Sequence, residues 1–146
     1  MDTADQLQAR GRLFAALTAI GFFAWQAGDG LARAGFAPES LVGPAYLISG
    51  VGAGLWIVSL ILLLGAAFQA RARGLFDVLN DELAVATRRK AMETAFYINT
   101  FTAVIFMTLG EFDVDRQFLL KTLVGVSVAS FLLAYVWYDA RDPAAS

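Results

Sequence analysis

The sequence predicts an all-α protein: a bundle of four transmembrane helices that we expect to form one integral membrane domain over residues 1–146. Composition is the first observation, since hydrophobic residues make up 58% of the chain and charged residues only 16%. In ordinary soluble domains roughly 45 to 50% of the residues are apolar and ~25% are charged. The second is that four long windows contain no acidic or basic residue. Their apolar residues also lack the alternation with polar residues that a membrane β-barrel requires.

The four spans are predicted at about residues 13–35, 41–69, 92–110 and 117–138. Each can cross a bilayer, because about 17 to 25 helical residues span a ~30 Å hydrocarbon core. A cleaved signal peptide fits poorly, since Asp2 and Asp5 stand where a basic leader is expected and no small-x-small cleavage pattern follows the first apolar run. We therefore expect the first helix to remain as a membrane anchor.

The distribution of basic residues predicts the orientation. Eight of the 11 Lys and Arg residues lie in the segments before the first span, between the second and third, and after the fourth. By the positive-inside rule both termini and the connector 70–91 are cytoplasmic, which gives a multi-pass N-in/C-in protein of the bacterial inner (plasma) membrane. Because nothing breaks the helix between Asp81 and Gly110, the third helix is predicted to extend into the cytoplasm.

Several kinds of chemistry are excluded by the composition. The chain has no His and no Cys, so zinc, haem and thiolate chemistry and the commonest general base are missing, and we predict no catalytic, cofactor-binding or metal site. A net charge of -2 with a pI near 4.9 makes direct nucleic-acid binding unexpected. No ionisable residue lies near the middle of a span, although such residues usually mark transport pathways. An enzyme is the poorest fit.

Three residues are predicted to pack helices together. Gly50 and Gly54 form a small-xxx-small pair, which lets another helix backbone approach closely in lipid. That helix belongs either to the same bundle or to a second copy in a homodimer. Asn99 on the third span is expected to hydrogen-bond across to the fourth, where Ser127 and Ser130 are available.

Charged residues near the outer ends of the spans have a structural and a functional interpretation. Asp29 and Arg33 are four residues apart and can pair on one helix face; an outward ligand or ion site is the alternative. Lys121 lies one turn inside the fourth span and is predicted to extend toward Glu111 or Asp115.

The connector is the segment richest in functional signals. Asp77 or Asn80 can cap a helix, with Asp81 and Glu82 in its first turn, where the helix dipole favours negative charge. Leu79, Leu83 and Ala86 recur at helical spacing and form a narrow apolar stripe that needs a cover. The N-terminal tail, a second copy and a soluble partner are the candidates for that cover.

The run Gly-Leu-Phe-Asp-Val-Leu-Asn-Asp-Glu-Leu over residues 74–83, followed by basic residues and an apolar helix, resembles a group of small four-helix inner-membrane proteins of alphaproteobacteria. Those proteins have similar lengths, carry an Asn/Asp-Glu-Leu motif in the connector, and are often encoded beside a very short helix-turn-helix regulator of the XRE type. The resemblance implies that the membrane protein binds and restrains that regulator. It singles out Asp77, Asn80, Asp81, Glu82 and Leu83, followed by Arg88 and Arg89.

We therefore expect a non-enzymatic membrane regulator that binds a soluble cytoplasmic partner through the connector. The alternatives are a small transporter or channel and an accessory subunit of a larger membrane complex. The lipid bilayer and a second copy of the chain are the other expected partners. The predicted partner-binding residues are Phe76, Asp77, Leu79, Asn80, Asp81, Glu82, Leu83, Arg88 and Arg89.

Overall fold

The computed structural model describes residues 4–35, 37–74, 82–110 and 114–141, and these contain four α-helices and no strand. The helices are α1 (Ala4–Arg33), α2 (Glu39–Ala72), α3 (Glu82–Gly110) and α4 (Arg116–Arg141). The all-α prediction is therefore confirmed, and each helix contains or closely matches one predicted span.

Local signals in the sequence explain where the helices begin and end. Pro38 precedes α2 in an extended conformation, with φ -57° and ψ 141°. Gly74 follows α2 at φ +68°, a left-handed conformation that glycine adopts at little cost and that commonly ends a helix. At the start of α4 the Asp115 carboxylate accepts a hydrogen bond from the Phe118 backbone N–H at 2.9 Å, which satisfies one donor of the first turn.

Three of the four helices are long and apolar enough to cross a membrane: α2, α3 over Ala84–Leu109, and α4. Three of the four predicted spans are thus confirmed as candidate membrane helices. The same length and composition criterion does not select α1, because Gln26 and Asp29 follow its apolar run and Arg10 and Arg12 precede it. Helix α3 begins at Glu82, ten residues before the predicted span, so the predicted continuous helix is confirmed from Glu82 onward, while its extension into the cytoplasm stays a prediction.

The helices pack in the order α2, α1, α4, α3. Helix α1 lies between α2 and α4, α3 packs on α4, and within the described residues α2 and α3 make little contact with each other. Neighbouring helices are antiparallel, since Gln8 near the start of α1 contacts Asp139 near the end of α4. The buried core is mostly alanine, for example Ala19 and Ala91, so the helix backbones lie close together.

Glycines allow the closest approach, between α1 and α2. A Cβ atom added to Gly52 would lie 2.5 Å from the Trp25 backbone nitrogen, and one added to Gly21 would lie 2.6 Å from that of Trp56. These separations are far below van der Waals contact, so a larger residue at either position would force the helices apart. The two indole rings stack beside this contact, with centroids 5.0 Å apart.

Gly50 and Gly54 do not take part in this packing. Both are exposed, and no described atom lies within 4 Å of a Cβ added at either position. The interpretation that they pack within this bundle is therefore wrong. The residues of α2 that face α1 are a different set, which includes Ala45, Gly52 and Ser59, on the opposite side of the helix. A homodimer interface through Gly50 and Gly54 stays a prediction.

The predicted contact between the third and fourth helices is confirmed. The Ser127 hydroxyl donates a hydrogen bond to Asn99 Oδ1 at 2.8 Å. A second polar contact joins the same helices, where the Thr94 and Tyr138 hydroxyls lie 3.0 Å apart. Hydrogen bonds of this kind hold helices together in lipid, where packing receives no hydrophobic driving force.

Candidate functional site

The predicted docking residues belong to the connector end of the molecule, which we define as the end where α1 and α3 begin and α2 and α4 end. Helix α3 begins with Glu82 and Leu83, so these two motif residues are part of a continuous helix, although their side chains lie outside the described part of the chain. Five other predicted docking residues also lie outside it: Phe76, Asp77, Leu79, Asn80 and Asp81.

Arg88 and Arg89 have different surroundings although they are adjacent in sequence. The Arg89 side chain is 82% exposed and bonds to Glu93 one turn along the helix, with Nε and Oε1 3.2 Å apart. Arg88 is half-buried and lies close enough to Tyr135 on α4 to interact with it electrostatically. Only Arg89 therefore presents its charge outward for a partner, while Arg88 faces the packed helices.

A buried carboxylate joins the two ends of the chain. Asp139 is only 7% exposed, and its two carboxylate oxygens accept hydrogen bonds from Gln8 Nε2 at 3.1 and 3.2 Å. Arg12 Nε lies 3.6 Å from the same carboxylate, and Arg12 also donates to the Asp139 backbone carbonyl at 3.3 Å. A buried carboxylate requires such partners, because an unpaired charge is costly away from water.

Sequence analysis missed this cluster because Asp139 follows the last apolar residue of the predicted fourth span. One signal could have suggested the α1 half of it. Gln8 and Arg12 are four residues apart, so they share one face if the helix begins before the apolar run. Their partner could not be identified this way, since Asp139 is 131 residues from Gln8 in sequence.

The opposite end carries the other ion pair between α1 and α4. Arg33 Nε lies 2.9 Å from the Asp29 carboxylate, which confirms the predicted pair. Lys121 also binds Asp29, and Asp115 caps α4 instead, so the predicted pairing of Lys121 with Asp115 is wrong. The alternative partner, Glu111, lies outside the described residues.

Exposed cations and aromatic rings lie near the connector end. Lys90 and Arg89 are exposed on α3, and the Arg141 guanidinium lies 3.8 Å from the ring centroid of the exposed Trp137 on α4. Such a combination suits contacts with anionic groups, from lipid headgroups or from carboxylates of a partner protein.

Comparisons with known proteins yield no relative for this chain. No family model matches the sequence, and neither the curated proteins nor the solved structures give a match. A functional assignment therefore depends on the residues of the chain and their surroundings.

Proposed function

We propose that this protein is a non-enzymatic regulator of the bacterial inner membrane that crosses the bilayer four times, with both termini in the cytoplasm. Through its connector 70–91 it binds and restrains a soluble partner, a small helix-turn-helix transcription regulator of the XRE type. Holding such a regulator at the membrane keeps it from its promoters, so the protein controls transcription without binding DNA.

The bond between the two ends of the chain supports this topology. Asp139 pairs with Gln8 and Arg12, so the start of α1 and the end of α4 lie together and belong on the same side of the membrane. Eight of the 11 basic residues also fall at this connector end or in the segments that adjoin it, as the positive-inside rule requires of a cytoplasmic side. Helix α1 has no charged residue over 13–28 and packs between two candidate spans.

The observation that carries the docking proposal is the continuity of α3. It runs unbroken from Glu82 to Gly110, so the last residues of the docking motif lie on the same rigid helix as the membrane segment. A partner that contacts Glu82 and Leu83 is therefore held at a fixed distance from the bilayer. A short motif presented on an anchored helix also avoids part of the ordering cost that a free loop would incur on binding.

The chemistry of the connector suits a basic partner. Asp77, Asp81 and Glu82 supply negative charge. The apolar anchors are Phe76, Leu79 and Leu83. A DNA-binding module is basic on the face that contacts DNA, so binding to this acidic segment would compete with binding to the promoter. Apolar anchors supply most of the affinity in such an interface, and charge complementarity mainly raises the association rate.

A crosslinked pull-down from native bacterial membranes tests the docking proposal. Leu83→Asp should recover much less of the helix-turn-helix protein than wild type, because it places a charge where an apolar contact is desolvated. Val85→Asp is the matched control, since Val85 is exposed on nearly the opposite side of the same helix. The proposal is wrong if wild type and Leu83→Asp, at equal membrane levels, recover the same soluble proteins.

A further inference from the structure

In a membrane bundle the less apolar helices are usually the more buried ones, and helix α3 is an exception. It is the least apolar of the three candidate spans, yet it is also the least buried. A span that carries polar side chains normally turns them toward protein, because lipid cannot satisfy their hydrogen bonds. Here α3 packs mainly on α4, with Thr87, Ala91 and Ala95 buried, and most of its surface has no protein cover within the described residues.

The side of α3 opposite α4 is not a uniform lipid-facing surface. At 3.6 residues per turn one outward stripe runs along the whole helix, and charged, polar and apolar side chains share it. Each of its members is exposed. The stripe consists of Arg89, Glu93, Phe96, Thr100, Val104 and Met107. Their spacing of three and four residues is the spacing of helices that pair along a continuous interface.

Thr100 is the one polar member of this stripe without a hydrogen-bond partner among the described residues. Thr102 and Thr108 donate their hydroxyls to carbonyls of their own helix, at 2.8 and 3.1 Å. The Thr100 hydroxyl, halfway along α3, has no hydrogen bond to the described part of the chain. A hydroxyl in hydrocarbon without a partner is unfavourable, so this position favours contact with another polar group.

We propose that a second copy of this chain covers the outward stripe, so that two α3 helices pair in a symmetric dimer. Two copies inserted with the same topology are related by a two-fold axis along the membrane normal, which makes their α3 helices parallel. Equivalent residues then meet at equal depth, and the two Thr100 hydroxyls can bond to each other.

The charged end of the stripe is complementary to itself. Arg89 and Glu93 pair with each other one turn apart on α3, and their side chains are 82% and 59% exposed. Across a parallel two-fold interface the Arg89 of each copy can also pair with the Glu93 of the other, as charged residues beside a coiled-coil interface do. A helix of a different protein would need its own acidic and basic residues at matching positions, whereas a second copy of this chain has them by symmetry.

This arrangement does not depend on the docking proposal, but it has a consequence for it. The connector leads directly into α3, so the dimer would place two connectors side by side. A dimeric partner could then be bound at both connectors at once, which raises the effective affinity without any new contact.

Cysteine crosslinking in membranes free of any soluble partner tests the dimer. The chain has no cysteine, so single replacements report without background. Phe96→Cys, Thr100→Cys and Met107→Cys should form disulfide-linked dimers under mild oxidation, because equivalent stripe residues of the two copies face each other. A disulfide requires their Cβ atoms to lie ~4 Å apart. Phe101→Cys and Ile105→Cys are the controls, since both positions are exposed at similar depth on other faces of α3.

Charge reversal provides a second, independent measurement. Glu93→Arg should lower the yield of the Thr100→Cys dimer several-fold, because it sets like charges against each other, and adding Arg89→Glu should restore it. Equal crosslinking at Phe101 and Thr100, crosslinking only at Gly50→Cys or Gly54→Cys, or none at any position would overturn the proposed α3 dimer. Each of those results would leave the docking proposal untouched, since no partner is present.

Discussion

Two carboxylates, Asp29 and Asp139, form ion pairs at the two ends of the α1–α4 interface, and the helix that supplies the anion differs between the two ends. At the connector end α1 supplies the cation, Arg12, and α4 the anion, Asp139. At the other end α1 supplies Asp29 and α4 supplies Lys121. Sliding one helix along the other by a turn would break both pairs and leave partly buried charges uncompensated. Buried ion pairs of this kind specify register more reliably than they add stability.

Replacing Asp139 should show how much the connector-end pair contributes. Asp139→Asn keeps the shape of the side chain but removes its charge, which weakens the bonds from Gln8 and leaves Arg12 without a counter-ion. We expect a loss of about 1.5 to 3 kcal/mol, the range for hydrogen bonds to charged groups, measured as a lower Tm in detergent.

The matched control for Asp139→Asn is Arg33→Gln, which breaks the more exposed ion pair at the opposite end. The Arg33 side chain is 58% exposed, so its removal should cost less than about 1 kcal/mol. Equal effects of the two substitutions would contradict the ranking by burial.

At the scale of single residues, the sequence predicts side-chain contacts within one helix or between spans with few polar residues, but not contacts that depend on how distant helices pack. The Asp29–Arg33 pair could be predicted because the two residues are four apart on one helix. The Asn99–Ser127 bond could be predicted because both residues are polar in otherwise apolar helices. Asp139 could not be assigned to Gln8, since that contact depends on how two distant helices pack.

At the scale of the elements, α2 shows why a small-residue pattern does not identify a face. This helix is apolar almost all round, so no polar side marks which residues turn outward. Gly50 and Gly54 satisfy the small-xxx-small spacing but face away from α1, whereas Gly52 makes the closest contact. The spacing predicts that small residues permit close approach, and only the packing determines which of them are used.

Substituting single glycines in α2 should separate these two faces. Gly52→Ala introduces a Cβ 2.5 Å from the Trp25 backbone nitrogen, and we expect it to destabilise the protein by about 1 to 3 kcal/mol, as overpacking usually does. Gly50→Ala meets no described atom and should be neutral or stabilising by up to about 1 kcal/mol through helix propensity.

Thermal unfolding in detergent gives both values, and Trp25 and Trp56 stack beside the contact, so their fluorescence reports on the same interface. A loss of stability in Gly50→Ala equal to that in Gly52→Ala would mean that both faces of α2 are packed.

At the scale of the whole molecule, the helix that fails the criterion for a membrane span lies at the centre of the packing order. Helix α1 is the one described helix that is not apolar enough to count as a candidate span by itself, yet it packs against both α2 and α4. Packing against α2 and α4 covers some of the polar residues of α1, and residues that face protein rather than lipid need not be apolar. The sequence predicts the number of helices from their lengths, but it contains no simple signal for their packing order.

Cysteine accessibility can establish whether α1 crosses the membrane. We predict that a membrane-impermeant maleimide labels Gly35→Cys from outside the inner membrane of intact cells, while Thr3→Cys and Ser146→Cys become labelled only after lysis. The reason is that α1 packs antiparallel to α4 from Gln8 to Asp29, a length of about 32 Å at 1.5 Å per residue, enough to span the hydrocarbon core. If α1 lay along the surface instead, Thr3→Cys and Gly35→Cys would be labelled from the same side. Labelling of both chain ends in intact cells would show that the orientation predicted from the basic residues is inverted.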